Sequence, residues 1–257
     1  MTVRRSIPVR NSRAMYVANF GTLRASDRIY PMCGRYVRRS DRQRLVDYFH
    51  TGATVFDIPP SYNIAPTTFQ PVIRLDRDTG EREIAMMRWG LIPAWCKDVK
   101  LLGISTINAK AESLMLKPMW RQPFKKRRCL VPADAFYEWQ KIDAKTKQPY
   151  AFGMKDDAPF AFAGVWERWI APDQKPIDSF AIITTDPNEL AATVHTRMPV
   201  IVEPSDYTRW LTRTDEGPLP VDMLRPYDAE AMKIWKVSQD VGNVRNNYAG
   251  LCAAIDR

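Results

Sequence analysis

The sequence predicts a mainly β protein of the α+β class, a single compact domain with a barrel-like or sandwiched mixed sheet and peripheral helices. Three observations predict it. Short runs rich in branched and aromatic residues recur between turns, as at 83–89 and 160–169. Helical periodicity is confined to short, scattered stretches, and no internal repeat is present. With 257 residues, of which 45% are hydrophobic, the chain can form one large core.

The individual elements follow from local signals. Ser40 and Asp41 suit the start of a helix that reaches about residue 49. The segment 62–66 is a loop or a short extended piece, and the turn 78–80 separates two strands. Pro187 suits the first position of a short helix. We predict strands at 71–75, 83–89, 129–132, 135–140, 150–155, 160–169, 180–184, 199–203 and 234–237, and further short helices at 107–115, 187–194 and 205–211.

Residues 1–31 differ in composition from the rest of the chain. They hold six arginines and one acid, Asp27, and so contribute +5 of the net charge of +9. The body, 32–257, carries the remaining 9 − 5 = +4, which is compatible with a polyanionic partner. The leader has no apolar core of a secretory signal, although an organellar transit peptide is an option. We expect a start site placed too early or a segment that is processed off.

Several protein classes are excluded by composition. No apolar run approaches the 18 residues of a membrane span. The four cysteines show no CxxC spacing, and the chain has only two histidines, which argues against a zinc cluster. We therefore expect no metal and no other cofactor. Reduced thiols and a cytoplasmic location are the default for such a chain.

The pair Met32-Cys33 is the most unusual feature of the sequence. If the chain begins at Met32 and this residue is removed, Cys33 gains a free α-amine beside its thiol. An α-amine has a pKa of roughly 7.7–8.0, well below that of lysine, so a useful fraction is an unprotonated nucleophile at pH 7. An aldehyde would form an imine with it, and the nearby thiol could close a thiazolidine ring. The alternative is a small buried cysteine at the start of a strand.

Two further residues are candidates for acid–base chemistry. Strand alternation places Glu138 on the same face as Phe136, where it is either solvent-facing or a desolvated acid. His195 follows a short predicted helix and precedes a strand, and loops of this kind often carry catalytic groups. A structural histidine is the alternative.

Other residues suit binding. Asn108 could hold a substrate or cap a helix. Trp89 and Trp95, with Arg35 and Arg88 nearby in sequence, could stack on and neutralise a nucleic-acid strand, and core tryptophans explain the pattern equally well.

Taken as an ordered set, these motifs resemble the SRAP family, the SOS-response-associated peptidase-like proteins that process abasic sites. The resemblance covers 32–257. The matching motifs are Met32-Cys33-Gly34-Arg35-Tyr36, Tyr62-Asn63-Ile64-Ala65-Pro66, Trp89-Gly90-Leu91-Ile92-Pro93-Ala94-Trp95, Asn108-Ala109-Lys110-Ala111-Glu112-Ser113, Arg128-Cys129-Leu130-Val131-Pro132-Ala133-Asp134, Phe136-Tyr137-Glu138-Trp139, Ile183-Thr184-Thr185, His195-Thr196-Arg197-Met198-Pro199 and Val241-Gly242-Asn243-Val244-Arg245-Asn246.

The resemblance implies a compact, mainly β fold with a basic groove for single-stranded DNA that contains abasic sites. It implies that Cys33 is the nucleophile and forms a thiazolidine crosslink through Schiff base (lyase-type) chemistry. The implied catalytic partners of Cys33 are Asn108, Glu138 and His195. The implied DNA-binding residues are Gly34, Arg35, Trp89, Lys110 and Thr184. The family usually has arginine where this chain has Lys110, which loses the bidentate fork. A monomeric, nucleoid-associated protein of the DNA damage (SOS) response is the corresponding expectation.

Two other functions stay open. One is an autoprocessing cysteine peptidase or amidohydrolase, with Cys33 as nucleophile and His195 as base, whose minimal activity is cleavage of its own leader. The other is a noncatalytic single-stranded DNA-binding module with a structural Cys33. Replacement of Cys33 by serine separates binding alone from the two chemical functions.

Overall fold

The computed structural model describes residues 34–99, 102, 106–213 and 217–255. The predicted leader and Cys33 lie outside these residues. Within them, no helix is long and apolar enough to cross a membrane. The strands are β1 (Arg35–Arg38), β2 (Ser61–Ile64), β3 (Phe69–Leu75), β4 (Arg82–Trp89), β5 (Asn108–Lys110), β6 (Arg128–Ala133), β7 (Ala135–Lys141), β8 (Lys147–Met154), β9 (Phe160–Ile170), β10 (Pro176–Thr185), β11 (Met198–Pro199), β12 (Ile201–Val202) and β13 (Met232–Lys236). The helices are α1 (Arg42–Phe49), α2 (Pro118–Lys126), α3 (Glu189–Ala192) and α4 (Tyr207–Leu211).

Five of the strands close into a ring. Strand β10 pairs in parallel with β4 and antiparallel with β9, and the circuit is completed through β3 and β6. The short strands β5 and β11 extend from β10, and β12 extends from β9. A second sheet has the order β13-β8-β7-β1-β2 and is antiparallel throughout. The predicted fold class, a mainly β domain with a barrel-like mixed sheet and peripheral helices, is confirmed.

The two faces of the ring strands line two apolar clusters. Along β9, Phe160 and Phe162 join one cluster while Ala161 and Ala163 join the other, as strand alternation requires. The first, which we call the inter-sheet cluster, also contains Phe136 of the second sheet. The second, the helix-side cluster, takes its remaining side chains from α1, α2 and α4, as with Phe49, Phe124 and Trp210. The second sheet and the helices therefore cover opposite faces of the ring strands.

Most predicted strands form within a few residues of the expected bounds, and the helix start at Asp41 is confirmed because its carboxylate accepts a hydrogen bond from the backbone of Arg44. The predicted helix at 107–115 is wrong. Residues 108–110 pair with β10 as β5, and only a short 3-10 turn, Ala111–Ser113, follows. The pairing partner lies over 70 residues away, so local periodicity could not reveal it.

Two helix details also differ from the expectation. Asn188, rather than a residue before Pro187, caps α3 by accepting a hydrogen bond from the backbone of Ala191. The helix α2 was not predicted, although Trp120 and Phe124 give it an apolar face that packs into the helix-side cluster.

A polar brace ties β1 and β2 to the C-terminal loop 241–247. The side-chain oxygen of Asn63 accepts a hydrogen bond of 2.7 Å from the guanidinium of Arg35, which also donates to the carbonyl of Val241 at 2.9 Å. The amide nitrogen of Asn63 lies within 3.2 Å of the carbonyls of Val241, Asn243 and Asn246. Asn63 and Arg35 are both buried. The motifs 62–66 and 241–246 therefore form one structural unit that holds the first strand.

We expect Asn63→Ala to lower the free energy of unfolding by about 1–3 kcal/mol for each buried group that loses its partner. The guanidinium of Arg35 and the carbonyls of the loop would remain buried with fewer hydrogen bonds. Denaturant-induced unfolding measures the change.

Asn247→Ala is the matched control. Asn247 accepts a hydrogen bond from the backbone of Tyr62 at 2.7 Å, but it lies at the surface, where water replaces the lost partner. Equal losses for the two variants would show that the buried brace contributes nothing beyond an ordinary surface hydrogen bond.

Candidate functional site

The pairing of β5 with β10 sets three of the predicted site residues on one face. Asn108 lies opposite Ile182 and Lys110 opposite Thr184 in parallel register, so their side chains project to the same side as those partners. Ile182 belongs to the inter-sheet cluster. Asn108, Lys110 and Thr184 therefore follow the edge of this cluster at the end of the ring where β5 and β10 terminate.

Glu138 projects toward the same cluster from the other sheet. Phe136, two residues earlier on β7, stacks on Phe152 with ring centroids 4.9 Å apart inside the inter-sheet cluster. Alternation places Glu138 on that face, and its side chain is buried, with 4% of the residue exposed. The solvent-facing alternative for Glu138 is thereby removed, and the residue is a desolvated carboxyl group between the sheets.

The segment that carries His195 is attached to both sheets. The side-chain amide of Gln140 on β7 donates a hydrogen bond of 2.8 Å to the carbonyl of Thr193. Arg197 donates to the carbonyl of Thr184 at 2.7 Å and to the carboxylate of Glu112, just beyond β5, at 2.8 Å. His195 lies between these two attachments in sequence. The hydrogen bonds bring the ends of β5, β7 and β10 to one loop.

The environment of His195 favours its neutral form. Burial lowers the pKa of His195 below its ordinary value of 6.5; the hydrogen bond with the Arg197 backbone opposes this in part, and the positive charge of Lys147 adds a smaller lowering. The Nδ1 atom lies 3.1 Å from the backbone nitrogen of Arg197 and 3.3 Å from its carbonyl oxygen. The backbone thus orients the ring through Nδ1, and Nε2 makes no hydrogen bond with a described residue. In the neutral tautomer whose Nδ1–H donates to the Arg197 carbonyl, Nε2 carries no proton and can accept one at pH 7.

Thr184 carries a polar group with unmet hydrogen-bonding capacity. Its residue is fully buried, and its hydroxyl has no hydrogen-bond partner among the residues that the structure describes. Such groups are rare in protein interiors and commonly mark a place where a ligand or water binds. Lys110, on the same face, is exposed and keeps its cationic end toward solvent.

The start of β1 lies beside this site. Arg35 pairs with Tyr137 in antiparallel register, so Gly34 lies on the side of β7 that holds Glu138. Gly34 is buried, and Arg35 is only 8% exposed because its guanidinium serves the brace. The residue that directly precedes Gly34 is Cys33, whose placement is not described.

Trp89 is a core residue, as one of the two interpretations of the tryptophans expected, and its contact with DNA stays a prediction. It is fully buried, lies edge-on to Tyr36 at 5.2 Å, and stacks in parallel with Phe180 at 6.4 Å. Its indole N–H donates a hydrogen bond of 3.0 Å to the carbonyl of Ile107, the residue before Asn108. Trp89 therefore supports the strand that carries Asn108. Trp95 lies at the surface, with 67% of the residue exposed.

Gly90, the residue after Trp89, packs closely against the segment that leads into β5. Its φ of +114° is unfavourable for any residue with a side chain, and a Cβ atom would lie 2.8 Å from the guanidinium of Arg88. That guanidinium donates a hydrogen bond of 2.6 Å to the Gly90 carbonyl. Arg88, like Arg35, is thus directed into the protein rather than toward a ligand.

Sequence reasoning missed the groups that connect the site: Asn63, Gln140 and Arg197. Asn63 and Arg197 belong to recognised motifs and Gln140 directly follows one, but nothing local shows which distant group each side chain binds. As for metal chemistry, the described part of the chain holds no cluster of three His, Cys, Asp or Glu side chains.

Solved structures with the same fold support the architecture. A protein from Bacteroides thetaiotaomicron superposes with a TM-score of 0.77 at 23% identity, covering 87% of this chain and all of that one. A protein from Bordetella bronchiseptica gives a TM-score of 0.68 at 29% identity and covers 80% of this chain.

Sequence relatives carry a common description. The abasic site processing protein YoqW of Bacillus subtilis is 40% identical over 219 residues, which is 84% of this chain and 96% of YoqW. The mouse abasic site processing protein HMCES is 32% identical over 236 residues, or 77% of this chain and 65% of HMCES. The model of the family described as SOS response associated peptidase (SRAP) matches residues 32–244. The chain therefore belongs to the SRAP family, as its ordered motifs indicated.

Proposed function

We propose that this protein processes abasic sites in single-stranded DNA by forming a covalent thiazolidine crosslink through Cys33. One observation supports the proposal above the others: strand register and alternation put Asn108, Glu138 and Thr184 on the faces of β5, β7 and β10 that border the inter-sheet cluster, and β1 begins two residues after Cys33. The substrate class, abasic sites, comes from the relatives YoqW and HMCES, which are both described as abasic site processing proteins. Shielding of the lesion from strand scission is the corresponding role in DNA damage.

The chemistry follows from an aldehyde and an aminothiol. The ring-opened abasic sugar exposes an aldehyde at C1′, which the α-amine of Cys33 attacks to give a carbinolamine. Loss of water gives a Schiff base, and addition of the thiol to the imine carbon closes the thiazolidine. Neutral His195 accepts the hydroxyl proton during ring opening, and Glu138 shuttles protons as the imine forms. Asn108 and the hydroxyl of Thr184 orient the sugar by hydrogen bonds.

Binding to the flanking strand rests on fewer contacts than the resemblance implied. Lys110 remains exposed and suits a phosphate contact, whereas Arg35 and Trp89 act by holding β1 and β5 in place. Contacts to phosphates release counterions, so the noncovalent affinity falls as salt rises.

The α-amine mechanism requires that Cys33 be the first residue. In a peptide bond to Met32 its nitrogen is a planar amide without a basic lone pair. Removal of Met32 as an initiator, or self-cleavage of a longer chain, would free it. The second route is the autoprocessing activity that the family description, a peptidase, leaves open.

We expect a complete thiazolidine adduct only from protein that begins at Cys33. Protein that retains Met1 should bind single-stranded DNA and form no adduct. Cys33→Ser should form only an imine that borohydride traps, since it keeps the amine and loses the thiol. Intact mass spectrometry after incubation with abasic single-stranded DNA distinguishes these species.

Cys96→Ser is the matched control, because Cys96 is a partly exposed thiol elsewhere on the described surface and should leave adduct formation unchanged. A full adduct on the 257-residue chain with Met1 present would refute the α-amine mechanism. Hydrolysis of a peptide library without DNA, lost in Cys33→Ser, would favour the peptidase, and unchanged DNA binding without any adduct would favour a noncatalytic binding module.

We expect His195→Ala and Glu138→Gln each to slow crosslinking by about 10²–10⁴-fold at pH 7, the usual size of general acid–base help. The pKa of His195 lies below 6.5, so its neutral form predominates at pH 7 and above. The ratio of parent to His195→Ala rates should therefore be constant above pH 7 and shrink below pH 6.5, as the parent histidine becomes protonated. Single-turnover rates across this range test the assignment; equal rates for parent and variants would remove both residues from the mechanism.

We expect Gln140→Met to slow crosslinking about 3- to 10-fold, since it removes one hydrogen bond worth about 1 kcal/mol. Gln140 acts by positioning the His195 loop through Thr193. In a His195→Ala background the same change should therefore have no further effect on the rate. Gln148→Met is the control, because this cross-strand neighbour donates to Val237 instead. Additive losses in the double variant would contradict the positioning role.

A further inference from the structure

The exposed face of α2 carries a row of positive charge. Lys117 is the N-cap of the helix, and Arg121 and Lys125 follow at intervals of four residues, which is about 6 Å along a helix axis. Lys117 and Arg121 are exposed, and Lys125 is half-buried. Trp120, Pro123 and Phe124 form the buried face, and the row of positive charge runs along its border, since residues three apart, such as Arg121 and Phe124, are neighbours on a helix. We call Lys117, Arg121 and Lys125 the α2 stripe.

The charge of the α2 stripe is not neutralised within the described structure. No acidic residue occurs between Glu112 and Asp134 in the sequence, and no member of the stripe forms an ion pair with a described residue. By contrast, the neighbouring Arg127 donates to the carboxylate of Glu167 at 2.5 Å.

The α2 stripe begins next to the candidate site. The hydroxyl of Ser113 donates to the carbonyl of Lys110 at 2.9 Å, and the carbonyl of Ser113 accepts the backbone N–H groups of Leu116 and Lys117 at 3.1 and 3.0 Å. These hydrogen bonds fold the connection between β5 and α2 into a compact turn. The stripe thus begins seven residues after Lys110, at the end of this turn, on a helix that packs on the helix-side cluster.

We propose that the α2 stripe binds the phosphodiester backbone of the single strand that flanks the lesion. An unpaired row of cations with helical spacing, continuous with Lys110, complements a linear polyanion. Neither the resemblance nor the family match assigns a role to α2. The inference rests on the proposed function for the identity of its partner and deepens it by adding a second contact region.

The test compares two triple variants of the Cys33-starting protein. One replaces the α2 stripe by Lys117→Gln, Arg121→Gln and Lys125→Gln, which keeps good helix formers. The control, Lys155→Gln, Lys175→Gln and Lys233→Gln, removes the same charge from two exposed lysines and one half-buried lysine, which form ion pairs with Glu230, Asp173 and Asp157. Equal thermal unfolding of both variants and parent shows that the folds are intact.

The readout is the salt dependence of binding to undamaged single strands, short and long. On a strand that extends well past the site, the stripe variant should lose about 2 from the slope of log K against log salt, since each single-strand phosphate contact contributes about 0.7. A strand that covers only the site should show no difference, and the control should match the parent. Equal slopes for stripe variant and control on the long strand would overturn the inference.

Crosslinking to a short abasic strand separates this inference from the proposed function. At saturating DNA the stripe variant should react at the parent rate. A parent protein that forms no adduct would refute the proposed function while the slopes for undamaged DNA still decide the role of α2. A slope change seen only with duplex-flanked DNA would also contradict the single-strand assignment.

Discussion

The buried guanidinium of Arg35 is the constraint on which the first strand and the site beside it depend. A charged group that leaves water must keep its hydrogen bonds, and here neutral oxygens of Asn63, Val241 and Gly242 supply them. These partners come from β2 and from a loop more than 200 residues away. The start of the domain is therefore held by its end, and Gly34, the first described residue, lies opposite Glu138 in the register of β1 and β7.

The protein separates arginines that stabilise the fold from cations available to a ligand. Arg38 and Arg128, like Arg35, are buried and donate to backbone carbonyls. Burial lowers the pKa of Arg128 to about 10, which still leaves the group charged at pH 7. Lys110 and the α2 stripe are cations that make no such hydrogen bond to a described backbone carbonyl. A count of basic residues alone would not distinguish the two groups.

Rigid strands carry most of the candidate site. Glu138 and Thr184 lie on strands of different sheets. The indole N–H of Trp89 donates to the carbonyl of Ile107 and so holds the backbone directly before Asn108. His195 is the exception, since it lies on a loop and is oriented through Gln140 and Arg197. In the proposed mechanism, a proton-transfer group on a short loop adjusts as the lesion enters, whereas the groups proposed to orient the sugar are held by strands.

The sequence by itself determined the mainly β class, most strand positions, the helix cap at Asp41, and the family through its ordered motifs. It also singled out Glu138 and His195 from residue type and context. Only the tertiary structure decided that Glu138 is buried, that Trp89 lies in the core, and that residues 108–110 form a strand. The physical reason is the range of the interactions: caps, turns and alternation act between neighbours in sequence, whereas burial, strand pairing and the partners of Asn63 and Gln140 depend on residues 28 to 183 positions away.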